Sequence, residues 1–487
     1  MLLIVFLFFQ AGTTAQSQTV FPRLEPDPKA LEFYRLGVRN SGFSWMELAE
    51  IALWASGDTS AANLESIRSA VTALNNSPEL PPVGRERADF ILTYLHRNIL
   101  RSYSLYQTRV DTIFTNGSFN CVSSAVLYII FCESAGIRTS AVVTRQHAFV
   151  MVHIDGQDID VETTNRYGFE PGSRREFHDQ FGRLTGFSHV PAQNYRDRQT
   201  INIIQLITLI FNNRIVEHER RNRFADGVPL SIDRAVLLFG DSLNTEQAFT
   251  QEIFSDPRKD LVDRLLNYGA SLLRANREED SLRWAVSASS RYPAPDRWQE
   301  FFMAAVNNRI VRLLRDSRTD DARIFLDSNR TNLTEANFTQ LDILIIDAAL
   351  LGRANRFNTA EEGETIISDI EQARNSGKTD ERRASELITF TVLRASTIFS
   401  AARDWRAAIN YMENAIARFG TNRELDQALR NYRSNLATEY HNRFAAEWNK
   451  RNYEEAQRIL NEGLAEFPDN RQLLNNMEIV RRHNSGR

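Results

Sequence analysis

Residues 121–164 read CVSSAVLYIIFCESAGIRTSAVVTRQHAFVMVHIDGQDIDVETT, and the hydrophobic period of this stretch changes at Gly136. Before the glycine, Val122, Ala125, Val126 and Ile129 recur at helical spacing, and Gly136 is a stop signal. After it, Thr139 to Thr144 is β-rich. His147 to Ile154 then alternates, with Ala148, Val150, Val152 and Ile154 on one face and His147, Phe149, Met151 and His153 on the other. Asp155-Gly156 is a hairpin turn, and Gln157 to Thr163 returns as a further strand. A helix followed by a small antiparallel sheet predicts an α+β core.

Upstream, a turn-rich piece, Thr115-Asn116-Gly117-Ser118-Phe119-Asn120, leads into the helix, and helical patterns cover about 44–54, 59–74 and 84–100. Downstream, residues 165–200 are polar and irregular and either wrap the core or link it to the helices beyond. From about 201 the pattern is helical and paired. In the last pair, Tyr440, Tyr453, Ala456, Leu460, Leu464 and Pro468 fall at the spacing of a 34-residue helix–turn–helix unit. Val392, Phe399, Trp405, Ala408, Met412 and Ala415 occupy the same relative places, as do Leu265, Gly269, Leu272, Ala285, Ala288 and Pro293. These positions resemble degenerate tetratricopeptide repeats and imply an all-α superhelical array. The predicted organisation is a signal peptide at 1–15, an α+β domain with N-terminal helices at 16–200 and a helical-repeat domain at 201–487.

A thiol is a nucleophile only as thiolate, and a helix N-terminus favours the anion through its unpaired N–H groups and dipole. Cys121 follows a turn and opens a helix, with Asn120 as its cap. The thiol needs a base, and His147 opens the strand after next. The imidazole needs an orienting acceptor, and Asp160 shares its face across the turn. The backbone N–H of Cys121 supplies one oxyanion donor, with Gln107 and Asn116 as candidates for the second. Phe119 and His153 are candidate cleft-lining residues. Cys132 reads as structural, and its place on the same helix rules out a disulfide with Cys121, since about 16 Å of rise would separate them.

The run from Asn116 to Tyr128 resembles the nucleophile helix of the transglutaminase-like superfamily; His147-Ala148-Phe149-Val150 resembles its histidine strand and Asp160-Val161-Glu162-Thr163-Thr164 its aspartate segment. The resemblance implies a transglutaminase-like fold with Cys121 as nucleophile, His147 as base and Asp160 as orienter. It also implies chemistry at amide bonds of peptides or proteins. Phe119 stands where the family often has glycine. Strand arithmetic points to a different carboxylate. If Asp155 and Gly156 form a two-residue loop, Asp160 pairs with Met151, about 13 Å along the strand from His147. Glu162 then lies about 7 Å away on the diagonal. Asp160 on resemblance and Glu162 on register both stand as candidate orienters.

Other classes are excluded. A formal charge of −4 does not suit a nucleic-acid binder. Nucleotide and phosphate fingerprints are missing, and no close ligand pair marks a metal site. No cofactor is expected. The apolar run Leu2–Phe9, followed by small and polar residues, reads as an export signal, and no later segment has the length of a membrane span. Together these features predict an exported, periplasmic or extracellular thiol enzyme. It would act on amide bonds by hydrolysis or acyl transfer, with the repeats recruiting a protein substrate or partner. The alternative is a catalytically inactive scaffold that binds proteins through its repeats.

Overall fold

The computed structural model describes residues 20–40, 42–145, 147–171, 197–241, 243 and 256–486. The expected signal at 1–15 and most of the irregular segment lie outside the described residues. The chain divides into two compact units, 1–305 and 306–487. The division therefore does not fall at 200–201: the helices that follow residue 201 pack with the α+β core.

The first unit opens with α1 (Pro28–Asn40), α2 (Trp45–Ser56), α3 (Ala61–Asn75) and α4 (Arg85–Asn98). Ser44 and Ser60 cap α2 and α3 by accepting backbone N–H groups. A two-residue strand, β1 (Ser102–Tyr103), pairs in parallel with β2 (Ser118–Phe119), and the short helix α5 (Asp111–Asn116) lies between them. Then comes α6 (Cys121–Ser134), whose first twelve residues are all buried. A helix this apolar on every side has to be enclosed, and α2, α4, the sheet and α7 (Ile203–Arg220) all contact it.

The sheet has the order β5-β4-β3-β6, formed by β3 (Arg138–Val143), β4 (Ala148–Ile154), β5 (Gln157–Val161) and β6 (Gln199–Ile201), antiparallel throughout. Asp155 and Gly156 adopt φ values of 51° and 75°, as a two-residue hairpin with the right-handed twist of its strands requires. Val150 pairs with Val161 and Met151 with Asp160, the register that this loop length dictates. After α7 come α8 (Phe224–Phe239), α9 (Pro257–Arg274) and α10 (Glu278–Arg291), each packed on its predecessor. Asp233 of α8 accepts from the backbone N–H of Asp27 at 2.8 Å and from Arg23 at 2.5 Å, which holds the segment before α1 in place.

Helix α11 (Pro295–Arg315) spans the division. The second unit continues with α12 (Thr319–Ser328), α13 (Glu335–Ala354), α14 (Ala360–Asn375), α15 (Glu381–Ala401), α16 (Trp405–Phe419), α17 (Arg423–Asn449), α18 (Tyr453–Glu466) and α19 (Arg471–Ser485). From α12 onward each helix packs on the last, and the alternate helices α13, α15, α17 and α19 also touch in succession. The result is an extended array of packed helices. Small residues set the spacing: Ala408 and Ala456 are fully buried, and a Cβ added at Gly463 would come within 3.0 Å of Tyr440. We expect Ala456→Leu to overpack the α17–α18 contact by about 1–3 kcal/mol. The midpoint of thermal unfolding followed by circular dichroism should fall by a few degrees, and an unchanged midpoint would show that this contact tolerates bulk.

Candidate active site

Three consecutive pieces of chain converge at the N-terminus of α6. Asn120, the N-cap, accepts the backbone N–H groups of Val122 and Ser123 at 3.0 Å each, and Ser123 Oγ accepts the Asn120 N–H at 3.0 Å. This reciprocal cap engages the amides on either side of the turn but not that of Cys121, which has no acceptor among the described residues and stands at the positive end of the helix. Cys121 is 9% exposed and lines a cleft of about 520 Å³.

His147 precedes β4 and lines the same cleft. Its ring hydrogen-bonds to Cys121 on one side, and its Nε2–H donates to Glu162 Oε2 at 2.5 Å on the other. With Nε2 engaged, Nδ1 is the ring nitrogen left for the thiol. Glu162 is 3% exposed, and its other oxygen accepts from Thr164 Oγ1 at 2.7 Å and from the Thr164 N–H at 3.1 Å. Neighbouring groups hold this segment down. Ser124 on α6 and Thr163 share a hydroxyl hydrogen bond of 2.9 Å, and His96 Nε2–H donates to the Thr163 carbonyl at 3.0 Å. Burial pushes His96 down to about 4, so it serves as a neutral donor at neutral pH. Gly168 closes the loop after Glu162 so tightly that an added Cβ would sit 1.9 Å from the Glu162 carbonyl oxygen.

Asp160 is not part of this group. It forms a two-pronged ion pair with Arg198, at 2.7 and 2.8 Å, while the Arg198 guanidinium also lies 5.2 Å over the Phe149 ring. The hairpin register is the reason, since it sets Asp160 opposite Met151 and brings Glu162 diagonally to His147. Of the two expected carboxylates, geometry selects Glu162. His153 is likewise held away from the cleft, between Ser140 and Asp158 at 2.7 Å each. Phe119 is buried against Tyr103 and His96 and does not line the cleft. Gln107 and Asn116 bend their amide oxygens back onto the N–H groups of Arg109 and Ser118, and neither lines the cleft. Cys121 and Cys132 are both free thiols. Burial, above all, holds the Cys132 thiol far above its usual range, which makes it inert.

The far wall of the cleft had no counterpart in the sequence motifs. Leu209, Asn212, Asn213, Val216, Glu217 and Arg220 lie on one face of α7 at a 3.6-residue period. That period is legible in the sequence, but nothing in it says that the face looks toward Cys121. Leu105 and Tyr106, 51% and 64% exposed, form the near lip. Among the described residues no group of three or more His, Cys, Asp or Glu is placed to hold a metal, and no helix is long and apolar enough to cross a membrane.

Charge is arranged along the three side chains in alternation. Burial alone would lower the pKa of His147. The Glu162 carboxylate and the Cys121 sulfur outweigh it and raise the value well above the ordinary 6.5. Burial raises Glu162, and His147 and Thr164 bring it below the ordinary 4.5. An imidazolium between a carboxylate and a sulfur is the charge state in which a thiolate is stabilised at a helix N-terminus. Searches against known protein families and curated proteins found no match to the chain.

Two outcomes are expected for the choice of carboxylate. Glu162→Gln should slow alkylation of Cys121 by iodoacetamide roughly ten-fold or more, while Asp160→Asn leaves it near the wild-type rate. The reverse ranking, read by intact mass and peptide mapping, would return the orienting role to Asp160. Stability should also depend on pH through this pair. The raised His147 value contributes fully below 6.5 and is lost as pH rises through the folded value. The lowered Glu162 value contributes above 4.5 and is lost as pH falls through its folded value. The difference in melting temperature between wild type and Glu162→Gln is therefore expected to be greatest between pH 4.5 and 6.5 and to narrow above that window. A difference that is flat across pH would contradict the ion pair.

Proposed function

We propose that this protein is an exported thiol-dependent enzyme that cleaves or transfers amide bonds of peptides or proteins. The observation that carries the reading is the Cys121–His147–Glu162 chain of contacts, built at a capped helix N-terminus and open to a cleft. In this mechanism the Cys121 sulfur attacks the carbonyl carbon of the amide. The developing oxyanion would be received by the Cys121 N–H, which the Asn120 cap does not engage. His147 gives its Nδ1 proton to the departing amine, and Glu162 keeps the imidazole oriented throughout. The thioester then passes to water, forming a carboxylic acid, or to an amine, forming a new amide, and the thiolate is restored.

The helix, the antiparallel hairpin and the order Cys–His–carboxylate support a transglutaminase-like core, with glutamate two residues beyond the aspartate position of the resemblance. Alternate stacking of the helices, together with buried Ala408 and Ala456, supports a tetratricopeptide-like reading of the second unit, which would recruit the protein substrate. A scaffold that had lost its chemistry would have no use for an aligned acid–base pair beside a thiol that lines a cleft.

The test compares wild type and Cys121→Ala on a panel of peptide amides, with and without an added primary amine. Activity is expected only in the wild type. It should be accompanied by alkylation of Cys121 far faster than that of a denatured thiol, while folded Cys132 stays unmodified. Equal turnover by both proteins, or alkylation of Cys121 at the denatured rate, would end the proposal.

A further inference from the structure

The walls of the Cys121 cleft carry four arginines, Arg145, Arg220, Arg234 and Arg264. Two of them are neutralised within the fold. Arg234 pairs with Asp260 at 2.6 Å and Arg264 with Glu219 at 2.9 Å, both largely out of solvent. The acidic residue of α7 that lines the cleft, Glu217, is in turn paired with Arg221 at 2.5 Å. Among the described residues, that leaves one arginine at the mouth without a carboxylate partner, Arg220, and a second, Arg145, held only by an exposed and distant one. Arg220 ends α7 with no carboxylate partner among those residues; its guanidinium rests 5.2 Å over the Tyr106 ring, which fixes the charge at the rim. Arg145, 81% exposed, makes a loose contact with Asp197 at 3.6 Å.

Arginine held on an aromatic face keeps all its N–H donors available, and in a partly enclosed cleft a surplus of such charge attracts and orients an anion. The stripe on α7 runs from Leu209 through the amides of Asn212 and Asn213 to Arg220. It matches an extended segment with an uncharged part toward one end and a charged part toward the other. We infer that the acyl donor of this site is a peptide bearing a carboxylate within a few residues of the amide attacked, and that Arg220, assisted by Arg145, receives that carboxylate. This rests on the proposed thiol chemistry. The carboxylate is either an acidic side chain or the α-carboxylate of a chain end, groups that a guanidinium binds alike.

Three chloroacetyl peptides of one length distinguish these cases on the full-length protein. The first is chloroacetyl-Gly-Gln-Gly amide, the second replaces Gln with Glu, and the third is the Gln peptide with a free C-terminal carboxylate. Each forms a thioether with Cys121 and releases chloride, and the rate is normalised in every variant to that of iodoacetamide, which reports thiol reactivity alone. The expected result is that one or both anionic peptides react about five-fold or more faster than the neutral one, with the advantage shrinking at high salt. Preference for the Glu peptide identifies an internal acidic residue, and preference for the free acid identifies a chain end. Arg220→Gln should bring the ratio toward one, and Arg220→Lys should restore part of it. Equal normalised rates in the wild type, or a ratio that survives in the Arg145→Gln/Arg220→Gln double variant, would overturn the inference. If iodoacetamide itself reacts with wild-type Cys121 no faster than with a denatured thiol, the enzymatic reading fails first, and the two failures are distinguished.

Discussion

A turn of two residues, both at positive φ, determines which carboxylate meets the histidine. Asp155 and Gly156 can close the hairpin only in one register. Because strand residues alternate faces and advance about 3.3 Å each, that register places every side chain of β5 relative to β4. Glu162 reaches His147 because it lies diagonally across from it just beyond the paired strands, and Asp160 is carried away to Arg198. Lengthening the loop by one residue would turn the facing set over. The electrostatics of the site, with an imidazolium held between a carboxylate and a sulfur, depend on this single local constraint.

A second constraint acts from the helix side. The nearly all-apolar α6 cannot rotate without exposing buried surface, so its N-terminus, and Cys121 with it, is fixed by packing on every side. Ser124 and Thr163 join that helix to the segment carrying Glu162 through a buried hydroxyl pair. The helix of Cys121 and the segment of Glu162 are thus tied to each other independently of the histidine between them.

Much of this was legible in the chain. The change of period at Gly136, the turn chemistry of Asp155-Gly156 and the cap at Asn120 place the helix, the hairpin and the thiol. Register arithmetic alone pointed to Glu162, whereas the motif pointed to Asp160, and the physical argument agrees with the geometry. Contacts between distant segments could not be read. The 3.6-residue stripe on α7 is visible, yet a periodic face does not name its partner, so the cleft wall and its arginines emerge only in three dimensions. The boundary expected at 200–201 missed for the same reason: a change in local pattern does not reveal that the next helices pack back on the sheet and α6. His153 and Phe119 were misplaced because strand parity and proximity in sequence give a direction without giving the neighbours that capture a side chain.

The spacing of these parts along the chain has a consequence for how the protein comes into being. Cys121, His147 and Glu162 lie within one run of adjacent elements, α6 to β5, joined by short loops, so little loop entropy opposes their meeting. The wall contributed by α7 and α9 belongs to chain that is made much later. The helix α7 that walls the cleft is also one of the elements that cover α6, so the cleft around Cys121 and the burial of its helix are completed by the same late segment of chain.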